Sequence, residues 1–566
     1  TYYVRDVVNR FTTLDLKKKT ATAHIEKGSI LNEGKYATDA YNWRNQLDFN
    51  RTFAERHAIN AVAGVEVSQS KINNRTFAPI YGYDDNYLTS RPIQEVVVTN
   101  CFNERKVSIP VKSMFRYSLQ RYFSAFTNLA YTFDDKYSIS GSFRTDASNF
   151  ITDDPKYRYS PFWSVGFSWN MMHEDFMKSQ HWLDYLTPRI TYGCNGNANT
   201  TTSMVPLITM AGVSDITQEQ YARISSYGNP QMSWEQTHVV NFGIDWSMFG
   251  GKFYGKIDVY NKKGTDIMAD VSVPIASGQL KPGFNIVDAK ITANAAEVTN
   301  RGFEMELGSS QDFGAGVHWD GNVTLAYNKN KVDKLYLGYV GHDKMRDPIP
   351  IEGYDINGLW AYQYAGLRER TDDEGNTYKV PNIYVDNEGG TSPIDNILEN
   401  TDGRKAMKYM GTTVAPWTVG MSHSFEYKEW ALAFTMIGKF GHKFRQTGFN
   451  YADPLVTIPN RQYTQLQDET VMPMPDNKFI NLSHYSSISP YMDYNVKSAN
   501  HVRMQELTLS YSLPQVLLRK WGISRLTCYL QGNDLFTIKA TDEDPEYAYG
   551  GFRLQPTYTI GVKFAY

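Results

Sequence analysis

The stretch Thr557–Tyr566, TYTIGVKFAY, decides how the rest of the chain is read. Tyr558, Ile560, Val562, Phe564 and Tyr566 fall on one face at period two, and Thr557, Thr559, Gly561, Lys563 and Ala565 fall on the other. This is a strand with one apolar, aromatic-ended face and one polar or small face. A soluble sheet can use such a strand. A barrel in the bacterial outer membrane also accounts for the aromatic end, because its closing strand meets lipid on the apolar side. The choice rests on whether the pattern repeats.

It repeats along most of the chain. His57–Val67 alternates, then Phe123–Phe133 and Lys136–Asp146, joined by Asp134-Asp135 as a tight turn. Trp163, Val165, Phe167 and Trp169 oppose Ser164, Gly166, Ser168 and Asn170. Val240, Phe242, Ile244, Trp246 and Met248 oppose Asn241, Gly243, Asp245 and Ser247, and Gly250-Gly251 leads on to Phe253–Tyr260. Phe303, Met305 and Leu307 face away from Glu304 and Glu306. Val317, Trp319, Val323, Leu325 and Tyr327 oppose His318, Asp320, Asn322, Thr324 and Asn328. Trp417–Tyr427 and Trp430–Phe440 are separated only by Lys428-Glu429, and Leu507–Leu513 and Ile523–Asn533 precede the closing strand. About 16 such segments are expected, many near the nine to eleven residues a membrane strand needs. Short helical turns are expected near His173–Lys178 and Pro514–Trp521.

Composition agrees with a barrel. Among 566 residues, Tyr (40) outnumbers Phe (29), Gly reaches 41, and no apolar run exceeds the five residues Trp430–Phe434, so no helix crosses a membrane. Strands that alternate cross without such a run. Charge is nearly balanced, 57 basic against 60 acidic, and no nucleic acid is expected as a partner. Cys101, Cys194 and Cys528 match no zinc or redox spacing and read as isolated thiols. The chain opens at Thr1 without a signal peptide, so the expectation is that its start lies upstream.

Connections come in two sizes. Turns such as Asp134-Asp135 are short. Asn195–Met232, Gly264–Glu297, Lys331–Gly358, Arg368–Ala415 and Gly441–Ala499 are long, rich in Gly, Pro and Asp, and are expected to be loops. Short periplasmic turns alternating with long external loops is the habit of an outer-membrane barrel.

Six segments together resemble the SusC/RagA family of TonB-dependent outer-membrane transporters. They are Ser140–Phe150 (SGSFRTDASNF), Ser160–Ser179, Thr187–Ala198, Glu297–Gly308 (EVTNRGFEMELG), Val502–Pro514, and Gln531–Ile538 with Thr541–Gly551, which carries an Asp-Pro-Glu turn. Ala147 stands where the family pattern has Gly. The match runs from about residue 110 to the end. The resemblance implies an all-β, transmembrane antiparallel β-barrel of 22 strands, with an N-terminal plug and a TonB-contacting segment. It also implies a SusD-like surface lipoprotein as lid, and an oligosaccharide or peptide as ligand. Residues 1–566 are then expected to be the C-terminal part of the barrel domain, about 16 strands, with the plug and first strands absent. The location implied is the Gram-negative outer membrane, among lipid and lipopolysaccharide. A passive porin and an adhesin-like β-protein are the alternatives.

No catalytic, cofactor or metal residue is expected, and substrate-binding residues are not identifiable. Acidic strings at Thr371–Asn376, Asp386–Asn396 and Asp542–Glu546 offer oxygen ligands for Ca²⁺, but none has the twelve-residue calcium-loop spacing. His173 and Glu174 with His181 and Asp184 lack a metal-ligand spacing and read as a turn. No G-x-S-x-G elbow is present.

Overall fold

The computed structural model describes residues 8–15, 17–25, 28–90, 97–99, 106–151, 158–198, 204–213, 217–226, 228–272, 290–335, 340–371, 374–385, 391–393, 402–446, 487–519, 522–546 and 555–565. Fifteen strands form one sheet in which every strand pairs with its neighbours in sequence. They are β1 (Gly34–Phe53), β2 (His57–Thr76), β3 (Met114–Phe133), β4 (Tyr137–Ser148), β5 (Ser160–Trp169), β6 (Leu183–Asn197), β7 (Glu235–Met248) and β8 (Phe253–Ser272). Then follow β9 (Lys290–Gly314), β10 (Val317–Leu335), β11 (Trp417–Tyr427), β12 (Trp430–Phe440), β13 (His501–Ser512), β14 (Arg525–Lys539) and β15 (Thr557–Ala565). This is the all-β, antiparallel up-and-down order expected of a barrel wall. β1 and β15 are the two ends of the sheet order.

The registers separate two faces. Phe167, Ile190, Phe242, Val259, Phe303, Tyr327, Trp417 and Phe440 lie opposite one another on eight successive strands. Trp319, Phe425, Leu432, Leu509, Leu530 and Ile560 form a second apolar row. The intervening row Thr187, Asp245, Lys256, Glu306 and Thr324 is polar. Apolar rows stay open, with Phe242 46% and Ile560 84% exposed. A contiguous apolar face of this extent has no place in water, and lipid is the solvent that suits it.

Aromatic rings mark both ends of that face. Trp430 packs on Tyr511 at 4.8 Å beside the Lys428-Glu429 turn, and Trp417 packs on Tyr327 at 4.5 Å at the far end of β11. Ten residue steps of about 3.3 Å, tilted as barrel strands are, span roughly 25 Å, the height of an outer-membrane apolar band.

All short connections lie at one end of the strands. Asp134 and Asp135 both have positive φ (52° and 55°), the geometry of a two-residue hairpin turn that follows the sheet's twist. Gly250 and Gly251 also have positive φ, and their amides donate to one oxygen of Asp184 at 2.8 and 3.0 Å. The helical turns expected there are present as Met171–His173, Asp175–Met177 and Gln515–Leu518.

The chain divides into two compact units. The first comprises Thr1–Leu47, Gly64–Ala125 and Asp146–Asn149. Its small pairs Thr12–Asp15 with Thr20–Ala23, Ser29–Leu31 with Ile80–Tyr83, and Val97–Thr99 with Lys106–Ser108 enclose Phe11, Ile25, Tyr81, Val98 and Ile109. Ala147 lies inside β4, so its replacement of Gly leaves the turn untouched. The second unit comprises Asp48–Ala63, Phe126–Thr145 and Phe150–Tyr566, and it holds the long-loop structure described below.

Three expectations need correction. The alternation read from His57 onward misses the 20-residue strand β1, which lies before it. Gly264–Glu297 is not one long loop: β8 runs on to Ser272 and β9 begins at Lys290, still paired. Lys331–Gly358, Arg368–Ala415 and Gly441–Ala499 are not bare loops: β10 runs on to Leu335, Met407–Thr412 pairs with Gly358–Tyr362, and Lys443–Arg445 pairs with Val496–Ser498. Cys194 and Cys528 are free thiols, as expected, and Cys101 lies outside the described residues.

Candidate functional site

Two features set the chemistry of the second unit: charges along the polar face, and a cap at the long-loop end. On the polar face, Arg189 donates to Asp245 at 3.1 Å and to both oxygens of Asp258 at 2.6 Å, while Asn241 donates to Asp258 at 2.8 Å. Lys256 pairs with Glu306 at 2.9 Å, and Asn322 donates to the same carboxylate at 2.8 Å. On the opposite face, beyond the end of the apolar row, Lys263 at 3.0 Å and Lys334 at 3.7 Å share Glu297. Alternating strands place these groups side by side, so the polar face is hydrophilic yet nearly charge-balanced. Asn300, Gly302 and Glu304 of the segment Glu297–Gly308 belong to this face. Asn300 accepts from Asn330 at 2.9 Å, and a Cβ on Gly302 would lie 2.1 Å from the Tyr327 carbonyl oxygen and 2.7 Å from the Tyr260 hydroxyl. Only glycine lets the Tyr260 ring cross there.

The cap grows from β10 and β12. Asn330 accepts from the Ile356 amide at 2.9 Å, folding residues 351–357 back along the end of β10. Gly358–Tyr362 pairs with Met407–Thr412, and Lys443–Arg445 pairs with Val496–Ser498. The two excursions share one core of Val340, Met345, Ile351, Trp360, Tyr362, Ile383, Ala406, Met407, Ile488 and Met492. Each large side chain buried this way contributes about 1.5–3 kcal/mol. Arg445, 4% exposed, crosses the junction. It donates to the carbonyl of Arg346 at 2.5 Å and to that of Trp360 at 2.7 Å, and lies 4.6 Å from the Tyr491 ring. The Tyr364 amide donates to Asp493 at 3.3 Å across the same junction.

The Asp-Pro-Glu motif ties a third connection to the cap's base. Arg503, 7% exposed on β13, holds Asp544 at 3.1 Å and Glu546 at 2.8 Å. Lys439 on β12 reaches Glu546 at 2.6 Å and His501 lies 3.5 Å from it. Burial works to raise the Glu546 carboxyl, but the Lys439 bond and the attraction of Lys439, Arg503 and His501 hold it below its ordinary value. His442, whose ring centre is 5.8 Å from that of His501, is pushed down to about 4 by burial, with His501 and Lys439 adding to the effect and Glu546 opposing it.

These shifts give a pH dependence. His442 binds its proton more weakly folded than unfolded, so its contribution is full above its ordinary value and fades as pH falls from about 6.5 towards 4. Glu546 acts in the same direction at lower pH, because its depressed carboxyl loses its contribution on protonation. Protease cleavage within the cap is therefore expected to accelerate between pH 6.5 and 4, and His442→Asn should flatten that part of the profile. Cleavage that slows on acidification counts against the account.

The remaining candidates are dispersed. Asp544 and Glu546 of the third acidic string are committed to protein cations. Residues 372–373 of the first string, and most of Asp386–Asn396, lie outside the described residues. Glu174 accepts from Tyr137 at 2.5 Å, Trp169 at 3.2 Å and Lys136 at 3.3 Å, whereas Asp184 serves the Gly250-Gly251 turn. Arg445, Arg503 and the histidine pair were not singled out from sequence, where only the motif around Asp544 gave a signal.

An antiparallel meander with a lipid-type face, a polar face and a loop cap defines an outer-membrane barrel wall. The family described as "TonB dependent receptor-like, beta-barrel" matches residues 2–468, and the chain belongs to it. That family consists of receptors and transporters of the outer membrane. Similar proteins include the TonB-dependent receptor P26 of Formosa agariphila, 23% identical over 565 residues covering 93% of this chain and 51% of that protein. The TonB-dependent receptor SusC of Bacteroides thetaiotaomicron is 23% identical over 409 residues, covering 69% of this chain and 37% of that one. Among solved structures, the RagAB peptide importer in the "open-open" state superposes with a TM-score of 0.74 at 20% identity, covering 95% of this chain and 56% of that one. SusC and RagAB are the branch that the sequence motifs resemble. The chain spans about half the length of the Formosa agariphila receptor and 37% of SusC.

Proposed function

We propose that this chain forms the barrel wall of an importer that moves an oligosaccharide or peptide across the outer membrane, driven by TonB. In this reading a SusD-like surface lipoprotein lids the long-loop end, which faces the exterior. The short-turn end faces the periplasm, and the polar face lines the lumen. The observation that carries it is the cap. Two excursions with a common core and a buried arginine at their junction form a built surface where loose loops would suffice for a passive pore. The polar face supports the ligand class, since balanced ion pairs interspersed with Asn and Tyr suit many modest contacts to sugar hydroxyls or peptide amides.

The test is uptake of the native nutrient by cells carrying the full-length transporter, with TonB present or deleted. Uptake is expected to fall to background without TonB, and the lipoprotein is expected to co-purify. Uptake that continues unchanged without TonB identifies a passive porin instead.

A further inference from the structure

The polar face carries a cavity of about 470 Å³ close to the short-turn end, walled by β13, β14 and β15. Its floor is fixed by one close approach. A Cβ on Gly561 would lie 2.3–2.5 Å from atoms of the Tyr529 ring, so the ring lies flat across β15, and Lys563 Nζ is 5.0 Å from its centre. Arg525 and Lys563 stand at the short-turn side, and neither has a carboxylate partner among the described residues. That separates them from Arg189, Lys256 and Lys439 on the same face, each of which is paired. At the other end Glu506 accepts from Thr508 at 3.0 Å and from no other of the described residues. Glu506 lies opposite Asn533 and Lys563 opposite Thr527, which puts about 20 Å of β14 between the two charge types.

We infer that this cavity is a binding site for a short polar oligomer carrying one carboxylate, with the carboxylate held between Arg525 and Lys563. The volume suits a small ligand. Two cations on adjacent strands, neither with a carboxylate partner among the described residues, favour an anion, and the Arg525 fork matches a carboxylate in both oxygens. Ser510, Thr527 and Gln531 add hydroxyl and amide groups along the wall. Glu506 at the far end repels a second carboxylate and accepts from an N–H or O–H, so the ligand is acidic at one end only. A peptide with a free terminal carboxylate and an oligosaccharide ending in a uronate both present this chemistry. The inference rests on the import reading, in which cargo leaves past the short-turn end.

The test is calorimetric titration of the full-length transporter in detergent with two probe pairs. One is N-acetyl-pentaglycine as the free acid and as the amide. The other is a trisaccharide ending in a single uronate and its neutral counterpart. In one pair the acid is expected to bind about tenfold tighter than the neutral probe, a difference of about 1.4 kcal/mol, and the pair that shows it identifies the source. The preference should vanish in the double variant Arg525→Gln with Lys563→Gln and persist in Arg525→Lys with Lys563→Arg, with the folded, heat-modifiable gel band confirming both. No preference in either pair overturns the inference, and so does a preference that survives the glutamine variant. If the preference behaves as expected but nutrient uptake is independent of TonB, the import reading fails and the site stands.

Discussion

Leu325→Arg is expected to destabilise the barrel by about 2–4 kcal/mol, while Thr324→Arg at the next position stays within about 0.5 kcal/mol. The two residues are neighbours near the middle of β10 and differ in the face they occupy. Leu325 lies between Met305 on β9 and Val419 on β11, in an apolar row that meets lipid. A guanidinium there must be taken into hydrocarbon or reach about half the membrane thickness to escape it. Thr324 lies opposite Glu306, whose carboxylate already holds Lys256 and Asn322. An arginine added on that side meets a negative charge and water. Urea unfolding of the full-length protein in lipid vesicles, followed by tryptophan fluorescence, measures both. Equal losses, or a larger loss for Thr324→Arg, would reverse the assignment of faces.

The same parity was open to reading in the sequence, and the places where reading failed have physical causes. β11 and β12 alternate without interruption and were read at their bounds, whereas the reading of β7 began five residues late at Val240 and that of β10 stopped at Asn328, seven residues short of Leu335. β1 was missed because Asn45 and Arg51 sit in the apolar row of Tyr41, Trp43, Leu47, Phe49 and Phe53 and break its period. β8 was cut short for a different reason. Its pairing with β9 shifts register between Gly264 and Met268, and Asp266 has a φ of +54°. A bulge of this kind flips the faces, so the alternation restarts out of phase and reads as a loop. The cap was hidden more deeply. Gly, Pro and Asp signal turns locally, but Tyr362 and Met492 bridge across more than a hundred residues, a distance no periodicity reports. The Asp-Pro-Glu motif was visible as a pattern, whereas its partners Lys439, His501 and Arg503 read only as polar positions on strands.

Arg445→Ala is expected to unbolt the cap while leaving the barrel folded. The side chain is buried, and its removal strands the carbonyls of Arg346 and Trp360 without their donors and the Tyr491 ring without its cation. Each stranded acceptor costs about 1–3 kcal/mol, giving roughly 3–5 kcal/mol for the site, enough to open the junction a hundredfold or more often. The loss is local because the sheet's own pairing does not pass through Arg445. Lys443–Arg445 pairs only with Val496–Ser498, outside the fifteen-strand sheet. Limited proteolysis should therefore cut the variant within residues 340–371 or 402–416 at a protease concentration that leaves the native protein whole, with the heat-modifiable barrel band unchanged. Arg445→Lys keeps the charge but not the two-pronged reach to both carbonyls, and should fall between the two. If the lid docks on the assembled cap, co-purification of the lipoprotein falls in the same order, native protein above lysine above alanine. A variant that resists protease like the native protein shows that the apolar core holds the excursions without Arg445. One that loses protease resistance but keeps its lipoprotein shows that the lid is held elsewhere on the long-loop end, and the docking surface must then be sought outside 336–416 and 441–500.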